Sequence, residues 1–441
     1  MKFVDLTLLV MLTGAQWQMV AVEPRSGKEL AAERNVGGKG ALVPASLMKL
    51  FTAGAVLERD AAGGRLDMST RLFHDGSLVA GVLRGSLYLA GRGNGFLSEM
   101  DIQQLALSAK KTGIREIAGD VVTDETAFDP VGLERTRSGP GHAPAGALGL
   151  DLHTVSVTVS PTAPGKPPRV AVAPAHDSVR VAVAALTTAT MVPTVRITQL
   201  DDATYRVAGN IPLGSAPVKQ RFALRDPALY AGHVLATALR EAGIELKGKV
   251  RKGKTPEGAA LVAEAPGPPL KELVRKMNVN SLNVVADNLL MLLGAETYGN
   301  PGTREKGVKV LREFLTSPDL SLNEVTIVDG SGLSEQNRVT GRFMASYLAK
   351  VSHKPWFPAF RDSLPRPGFD GTVKEIGYKD ERFRVKSGRL ENAFAVAGYG
   401  KNDQGRDFTF AYIVNAPHGE KQNLERSGAE VMRYLAHEAF P

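Results

Sequence analysis

Segments with helical and strand periodicity are distributed unevenly along the chain, and this distribution constrains the fold more than any other feature. Both ends of the sequence contain apolar residues at helical spacing together with strand-like runs such as QWQMVAVE, AFAVAGY and DFTFAYIV. Between them lies a long stretch of short alternating strands, among them TVSVTV, SVRVAVAAL and ATYRVAG. The sequence therefore predicts an α/β (α+β) fold in which a β-rich middle interrupts a mixed helix-and-strand architecture.

The two ends of the chain are predicted to fold together into one domain. A chain of 441 residues is long enough for two or three domains. An inserted domain is tolerated because the ends of an inserted segment lie close in space. We predict one domain from residues 1–70 and 268–441, with residues 71–267 inserted as a β-rich region of two subdomains. Residues 16–33 are predicted to form a hairpin.

The composition excludes several classes of protein. The chain has no cysteine, which excludes disulfides, thiol catalysis and cysteine-bound metals. Its eight histidines show no H-E-x-x-H spacing, so no metal or other cofactor is predicted. The net charge of +8 is not accompanied by an aromatic-basic recognition motif, so nucleic acid is not an expected partner. The charge is compatible with peripheral association with an anionic envelope surface.

The N-terminal stretch MKFVDLTLLVMLTGA contains a short apolar run interrupted by an aspartate. It is too short to span a bilayer, and it is incomplete as a signal peptide. We predict that it forms a helix packed on the fold. No other segment of the sequence approaches a membrane span.

A serine and a lysine three residues apart occur in the otherwise apolar run VPASLMKLFT. Pro44 and the apolar spacing predict a helix that begins near Ser46. Ser46 and Lys49 then lie on one helical face, which continues through Ala53 and Val56 and is predicted to be buried. A buried lysine is unfavourable unless it is paired or neutral. Lys49 therefore has either a structural partner or a chemical role.

Two S-x-N triplets occur, Ser281–Asn283 and Ser321–Asn323. Residues at i and i+2 diverge on a helix but can converge on a loop beside a rigid support. The first triplet precedes VVADNLLMLL, which has helical spacing, so it is the better candidate for a site. The alternative for Asn283 is simple capping of that helix.

Three further stretches match catalytic motifs in their letters, but they differ in structural context. Ser108 and Lys111 form a second S-x-x-K, and Lys111-Thr112-Gly113 reads K-T-G. These residues end a predicted helix, with Gly113 as its C-terminal cap, so they are interpreted as structural. By contrast, Lys386-Ser387-Gly388 follows the strand-like RFRV, in which Phe383 and Val385 are predicted to face the core. There a cation, a hydroxyl and backbone N–H groups could bind a carboxylate and a carbonyl.

Taken in order, the Ser46/Lys49 pair, the Ser281–Asn283 triplet and the Lys386–Gly388 triplet resemble the active-site set of the penicillin-recognising serine enzymes. The long separation between the first two elements is similar to that in the class C low-molecular-mass penicillin-binding proteins, the D-alanyl-D-alanine carboxypeptidase/endopeptidase family, which carry inserted domains there. Stretches such as MNVNSLNVVADNLL, VDGSGLSEQNRVT and VKSGRLENAFAVAGY agree, and the likeness covers nearly the whole chain.

The resemblance implies a penicillin-binding-protein/β-lactamase-like transpeptidase domain, with an antiparallel sheet flanked by helices, plus inserted β-rich domains. It also implies that Ser46 is the nucleophile, that neutral Lys49 removes its proton, and that Ser281 relays the proton to the leaving amine. Lowering a lysine pKa from about 10.4 to near 7 requires about 4–5 kcal/mol. Burial and a neighbouring cation, Lys386, would supply it.

The same resemblance assigns substrate-binding roles to the remaining motif residues. Asn283 would hold the substrate amide, Lys386 and Ser387 would bind the terminal carboxylate, and the backbone N–H groups of Ser46 and of Arg389, which follows Gly388, would form the oxyanion hole. The sequence departs from the family at two of these positions. Ser387 replaces the usual threonine, and Arg389 stands where a small hydroxyl residue is usual.

The function implied is that of a serine D-alanyl-D-alanine carboxypeptidase/endopeptidase, which acts on peptidoglycan stem peptides through an acyl-enzyme and is inhibited by β-lactams. Its expected location is the periplasm or another extracytoplasmic compartment, because the polymer lies there. One alternative is a β-lactamase or esterase that uses the same residues. Another is a non-catalytic cell-wall binding protein that retains the fold, and Arg389 and the altered middle of the chain motivate it.

Overall fold

The computed structural model describes residues 14–36, 40–129, 140–189, 192–316, 320–416, 421–437 and 440. The chain divides into two compact units. The discontinuous unit comprises Met1–Leu66 and Pro269–Pro441, and the inserted unit comprises Asp67–Pro268. The N-terminal stretch predicted to form a helix is residues 1–15, of which residues 1–13 lie outside the described residues.

Within its described residues, the N-terminal segment of the discontinuous unit contains a hairpin and a helix. Strands β1 (Gln16–Val22) and β2 (Glu29–Asn35) pair antiparallel, so the predicted hairpin is confirmed. A 3₁₀ turn over Ala45–Leu47 leads into helix α1 (Met48–Ala61), which confirms the predicted helix start near Ser46. The first ten residues of α1 are buried, as expected for a run of Leu, Met, Phe and Ala.

The inserted unit is rich in short strands, as its alternating sequence predicts. The helices in its described part are α2 (Glu99–Lys111), which begins with a capping box formed by Ser98 and Asp101, and α3 (Pro227–Glu241). Its strands are β3 (Thr70–His74), β4 (Ser77–Val79), β5 (Val82–Arg84), β6 (Leu87–Ala90), β7 (Glu116–Ile117), β8 (Val121–Asp124), β9 (Phe128–Asp129), β10 (Thr154–Ser160), β11 (Arg169–Ala173), β12 (Arg180–Thr188), β13 (Arg196–Gln199), β14 (Thr204–Pro212), β15 (Val218–Ala223), β16 (Glu245–Leu246), β17 (Val250–Lys252) and β18 (Ala260–Ala265).

Sheets of the inserted unit have the strand orders β11-β10-β15, β12-β14-β13, β16-β7-β5-β4 and β17-β8-β6-β3-β18. Helix α2 ends as predicted from its sequence. Thr112 follows the last helical turn, and Gly113 then adopts a left-handed φ of 97°. The literal K-T-G is therefore a helix terminus.

The C-terminal segment of the discontinuous unit supplies the remaining helices and strands. The helices are α4 (Leu270–Asn280), α5 (Asn283–Tyr298), α6 (Arg304–Leu315), α7 (Gly341–Val351), α8 (Phe357–Asp362) and α9 (Lys421–His437). The strands are β19 (Gly302–Thr303), β20 (Val325–Thr326), β21 (Arg338–Val339), β22 (Arg384–Arg389), β23 (Ala393–Lys401) and β24 (Asp407–Asn415).

A five-stranded antiparallel sheet forms the centre of the discontinuous unit, in the order β2-β1-β24-β23-β22. One face packs against α9, through an apolar cluster that includes Phe394, Phe410 and Met432. The opposite face of β24 meets α7, where Thr409 Oγ1 donates to the Ala345 carbonyl at 2.9 Å. Because helices cover both faces, β23 and β24 are buried along almost their whole length rather than in alternation.

Strand β22 is the edge strand that carries the predicted K-S-G triplet. Phe383 and Val385 lie in the apolar cluster, as predicted. The triplet lies within the strand rather than after it, because pairing with β23 continues as far as Arg389. Lys386 points to the other face and is nevertheless completely buried.

Candidate active site

Ser46 and Lys49 meet at the start of α1. Ala45, immediately before the serine, has a φ of 47°, in the left-handed region that a residue with a side chain rarely adopts. The turn leaves Ser46 half-buried, whereas Lys49 is completely buried. Lys49 Nζ donates a hydrogen bond to Ser46 Oγ at 2.9 Å. The spacing of three residues therefore places a hydroxyl and an amine in contact, as the helical geometry predicts.

Two further acceptors hold the Lys49 amine. Nζ lies 2.6 Å from Asn283 Oδ1 and 2.5 Å from the carbonyl oxygen of Ser331. Burial lowers the pKa of Lys49 to about 8, against the opposing influence of the buried carboxylates Asp287 and Asp329. A substantial fraction of this lysine is therefore neutral and able to accept a proton in mildly alkaline solution.

Ser281 and Asn283 lie at the junction of α4 and α5. Ser281 ends α4 with a left-handed φ of 54°, and Asn283 is the first residue of α5 rather than its cap. The reversal at this junction directs both side chains to the buried lysines. Asn283 Oδ1 accepts from Lys49, and Ser281 Oγ accepts from Lys386 Nζ at 3.0 Å.

The edge strand β22 completes the cluster. Lys386 Nζ also donates to the Ser387 carbonyl at 2.5 Å. Burial, and then the positive charges of Lys49 and Arg389, hold the pKa of Lys386 well below its ordinary value. Ser387 Oγ lies 3.0 Å from Thr372 Oγ1, which places two hydroxyls side by side at this edge. A cation and hydroxyls in this arrangement suit a bound carboxylate.

Gly388 allows the edge strand to pass close to the nucleophile turn. A Cβ at this position would lie 2.7 Å from the Ser46 backbone nitrogen and 2.8 Å from the Pro44 carbonyl oxygen. The Arg389 side chain is exposed and forms an ion pair with Glu425 of α9 at 2.6 Å. The Arg389 side chain is therefore held by an ion pair with helix α9.

The structure brings all the predicted site residues together within the discontinuous unit, whereas the sequence decoys have local roles. Ser321 caps a 3₁₀ turn over Leu322–Glu324 and accepts from the Asn323 backbone N–H at 3.4 Å. Lys111 and Thr112 are exposed at the C-terminal end of α2.

Two buried aspartates beside Lys49 were not predicted. Asp287 of α5 accepts a hydrogen bond from the Gly330 N–H at 3.0 Å, and Asp329 accepts from the Gly332 N–H at 2.7 Å. The pair thereby fixes the segment Asp329–Gly332, whose Ser331 carbonyl contacts the lysine. Burial and the nearby negative charge of Asp329 raise the pKa of Asp287 to about 7.

A sequence signal for Asp287 was available. It stands in the apolar run VVADNLLMLL, where a buried carboxylate is as unfavourable as a buried lysine.

Gly332, the last residue of VDGSG, occupies a position that requires a glycine. Its φ is 82°, and a Cβ there would overlap the carbonyl oxygen of Ala45, so the loop packs directly on the nucleophile turn.

No group of three or more His, Asp or Glu side chains that could hold a metal ion occurs among the residues that the structure describes. No helix in that part of the chain is long and apolar enough to cross a membrane.

A serine paired with a buried lysine, a second serine bonded to another lysine, and hydroxyl groups at the edge of the same sheet define a serine enzyme of the penicillin-binding type. Comparison with known proteins identifies the family. The chain belongs to the D-Ala-D-Ala carboxypeptidase 3 (S13) family, whose model matches residues 7–436. The resemblance stated from the motifs is confirmed, and the activity class is that of a serine D-alanyl-D-alanine carboxypeptidase.

Two curated relatives and one solved structure illustrate the likeness. The D-alanyl-D-alanine carboxypeptidase of Actinomadura sp. (strain R39) is 29% identical, over 97% of this chain and 83% of the relative. The D-alanyl-D-alanine carboxypeptidase DacB of Haemophilus influenzae is 26% identical, over 86% of this chain and 81% of the relative. The crystal structure of penicillin binding protein 4 (dacB) from H. influenzae superposes with a TM-score of 0.79 at 23% identity, covering 98% of this chain and 100% of that chain. The predicted fold class is thereby confirmed.

Proposed function

We propose that this enzyme removes the terminal D-alanine from peptidoglycan stem peptides through an acyl-enzyme on Ser46. The observation that supports this most directly is the 2.9 Å hydrogen bond between Lys49 Nζ and Ser46 Oγ. A buried lysine with a pKa of about 8 is a suitable general base for a serine nucleophile.

In the first step, neutral Lys49 takes the hydroxyl proton while Ser46 Oγ attacks the carbonyl carbon of the penultimate D-alanine. The carbonyl oxygen becomes an oxyanion, which the backbone N–H groups of Ser46 and Arg389 stabilise. The C–N bond then breaks as a proton passes to the leaving amine, relayed by Ser281. Free D-alanine departs and leaves an ester on Ser46.

In the second step, water attacks the ester carbonyl and gives up a proton to Lys49. Collapse of this second tetrahedral intermediate returns the proton to Ser46 Oγ and releases the shortened peptide as a carboxylic acid. Both steps return Lys49 to its starting charge state, and the mechanism derived from these side chains assigns no step to a metal or other cofactor.

Substrate positioning is assigned to the groups around the two lysines. Lys386, with Ser387 and the adjacent Thr372, would bind the terminal carboxylate, whose negative charge favours the protonated amine of Lys386. Asn283 would hold the substrate amide on the other side of the scissile bond. Gly388 permits the close strand approach that this arrangement requires.

The wider assignments follow from the same chemistry. A β-lactam amide would acylate Ser46 in the same way, and a D-alanyl cross-link would be cut as a peptide bond, so endopeptidase activity belongs to this proposal. The proposed location is the periplasm or another extracytoplasmic compartment, where peptidoglycan lies. We assign the chemistry to residues 1–70 and 268–441, and we propose that residues 71–267 form two inserted subdomains.

The decisive experiment measures the intact protein mass after incubation with benzylpenicillin. We expect the mass of one drug molecule to be added to the wild type and to Ser108→Ala, the matched control from the second S-x-x-K. Ser46→Ala should remain unmodified. D-alanine release from a pentapeptide ending in D-Ala-D-Ala, and cleavage of a cross-linked dimer, then separate carboxypeptidase from endopeptidase activity.

The other outcomes identify the alternatives. Rapid hydrolysis of the drug without a persistent adduct or D-alanine release would indicate a β-lactamase. Folded wild-type protein that leaves both drug and peptide intact would indicate a non-catalytic binding protein. An adduct that persists in Ser46→Ala would refute the assignment of the nucleophile.

A further inference from the structure

A cavity lies beside the first residue of β22, Arg384, at the opposite end of this strand from Ser387 and Arg389. Its volume is about 740 Å³, within the range of small-molecule sites. It opens where β1 and β23 end and where β22 and β24 begin, and residues of α8 complete its wall. The half-buried Phe357 and the buried Tyr399, whose rings meet edge to face at 5.0 Å, form an apolar part of the wall.

The cavity is lined by more cationic than anionic side chains. The cations are Arg25, Arg361, Arg382, Arg384, Lys401 and Arg406, and the carboxylates are Glu23, Glu381 and Asp407. Three of the cations have partners, because Arg406 pairs with Glu23 at 3.2 Å, Lys401 pairs with Asp407 at 3.3 Å, and Arg382 pairs with carboxylates outside the lining.

The other three guanidinium groups, those of Arg25, Arg361 and Arg384, form no ion pair with any residue that the structure describes. Arg384 is half-buried and held in place, since its Nη1 donates to the carbonyls of Glu381 at 2.8 Å and Phe383 at 3.0 Å. Burial lowers the pKa of Arg384, and the positive charges of Arg361 and Arg366 lower it further, with partial compensation by Asp362 and Asp370.

Arg25 and Arg361 are exposed, whereas Arg384 is half-buried and held in place. Like charges around one cavity repel each other when it is empty and are favourable when it holds an anion. Guanidinium groups pair with planar or tetrahedral oxyanions through two parallel hydrogen bonds. We propose that this cavity binds an oxyanion ligand, bearing phosphate or carboxylate groups, between Arg361 and Arg384, separately from the Ser46 site. This proposal does not depend on the catalytic assignment, because none of its residues takes part in the mechanism above.

Calorimetric titration at low ionic strength tests the proposal with two probes, pyrophosphate for the phosphate class and citrate for the carboxylate class. We expect saturable one-to-one binding of at least one probe, and the probe that binds more tightly identifies the class. Arg361→Ala should weaken it about tenfold or more, because charge-assisted hydrogen bonds are lost. Arg361 is exposed, so the variant should fold normally, which its melting temperature checks.

The matched control is Arg312→Ala, which removes the same charge from an exposed arginine on α6. Binding to this variant should equal that of the wild type. Equal weakening in both variants would show attraction to net charge alone and would overturn the proposal, as would the absence of saturable binding. Benzylpenicillin-acylated protein should bind the probe unchanged. Loss of binding on acylation would place the anion at Lys386 and would also overturn it.

Discussion

The end of α2 and the site around Ser46 contain the same kinds of residue in very different surroundings. In α2, Ser108 and Lys111 make an S-x-x-K, and the K-T-G begins at Lys111, so six consecutive residues match two motifs. That lysine is exposed at a helix terminus, where it interacts favourably with the helix dipole. Lys49 is completely buried and bonded to a serine hydroxyl. Burial and contacts, rather than motif letters, therefore create a general base.

The comparison is tested most strongly by replacing each lysine with methionine, which has a similar length and no charge. Lys49→Met should reduce the rate of benzylpenicillin acylation at least ~10³-fold, because the nucleophile loses its base. Lys111→Met should acylate at the wild-type rate. Stopped-flow or mass-based acylation kinetics measure both. If Lys49→Met is acylated at a rate within tenfold of the wild type, Lys49 is not the general base for Ser46.

The two regions also differ in what their glycines permit. Gly332→Ala would place a Cβ against the Ala45 carbonyl at a φ of 82°, so we expect a loss of about 2–4 kcal/mol in unfolding free energy. Acylation should slow as well, because the Ser46 turn must shift. Gly113→Ala has a similar φ of 97°, but its nearest neighbour is a leucine methyl at 3.9 Å, so it should lose only about 1–2 kcal/mol.

Urea denaturation of both glycine variants gives these values. Equal destabilisation of the two would mean that backbone conformation alone dominates. The close packing of the Asp329–Gly332 segment on the nucleophile turn would then make no measurable contribution to the free energy of unfolding.

A third prediction concerns the charge of Lys49 and has no counterpart in α2. The acylation rate of the wild type should rise with pH to a plateau, with a midpoint near the Lys49 pKa of about 8. The Asp287 carboxylate favours the protonated lysine, so Asp287→Asn should lower the pKa of Lys49. The midpoint should therefore move to lower pH by roughly one unit.

Asparagine at position 287 keeps an oxygen that can accept from the Gly330 N–H, so the variant changes charge more than structure. The groups that face Lys49 besides Asp287 are Asp329 and Lys386, and neither is altered. A midpoint that stays in place or moves to higher pH would contradict the electrostatic coupling. A uniform loss of rate at all pH values would indicate a structural role for Asp287 instead.

Much of this architecture could be predicted because local patterns agree with the final packing. The hairpin of β1 and β2, the start of α1 and the end of α2 each follow from local turn, capping or spacing chemistry. The edge-strand role of Lys386–Gly388 followed from its position after an alternating strand. The pairing of motif elements across the chain was supplied by the family resemblance and not by local pattern.

Other features could not be predicted because they depend on tertiary contacts. The segment Asp329–Gly332 reads as an ordinary glycine turn, and only its contact with Ala45 shows why Gly332 has to be a glycine. The pKa of Asp287 depends on burial and on the charge of Asp329, which lies in the loop between β20 and β21. The cavity around Arg384 draws its lining from strands β22, β23 and β24, from helix α8 and from four connecting segments, which no local window of sequence contains.

The smallest expected effect is at Arg389, where side chain and backbone have separable roles. Its ion pair with Glu425 is partly exposed and contributes about 0–1 kcal/mol, while its backbone N–H is the proposed oxyanion donor. Arg389→Ser keeps that N–H and restores the hydroxyl usual in the family, so acylation should change by less than about fivefold. Replacing only Glu425 with glutamine should have a similarly small effect. A hundredfold lower acylation rate in Arg389→Ser would show that the guanidinium itself contacts the substrate. Residue 389 would then act through its side chain and not through its backbone N–H.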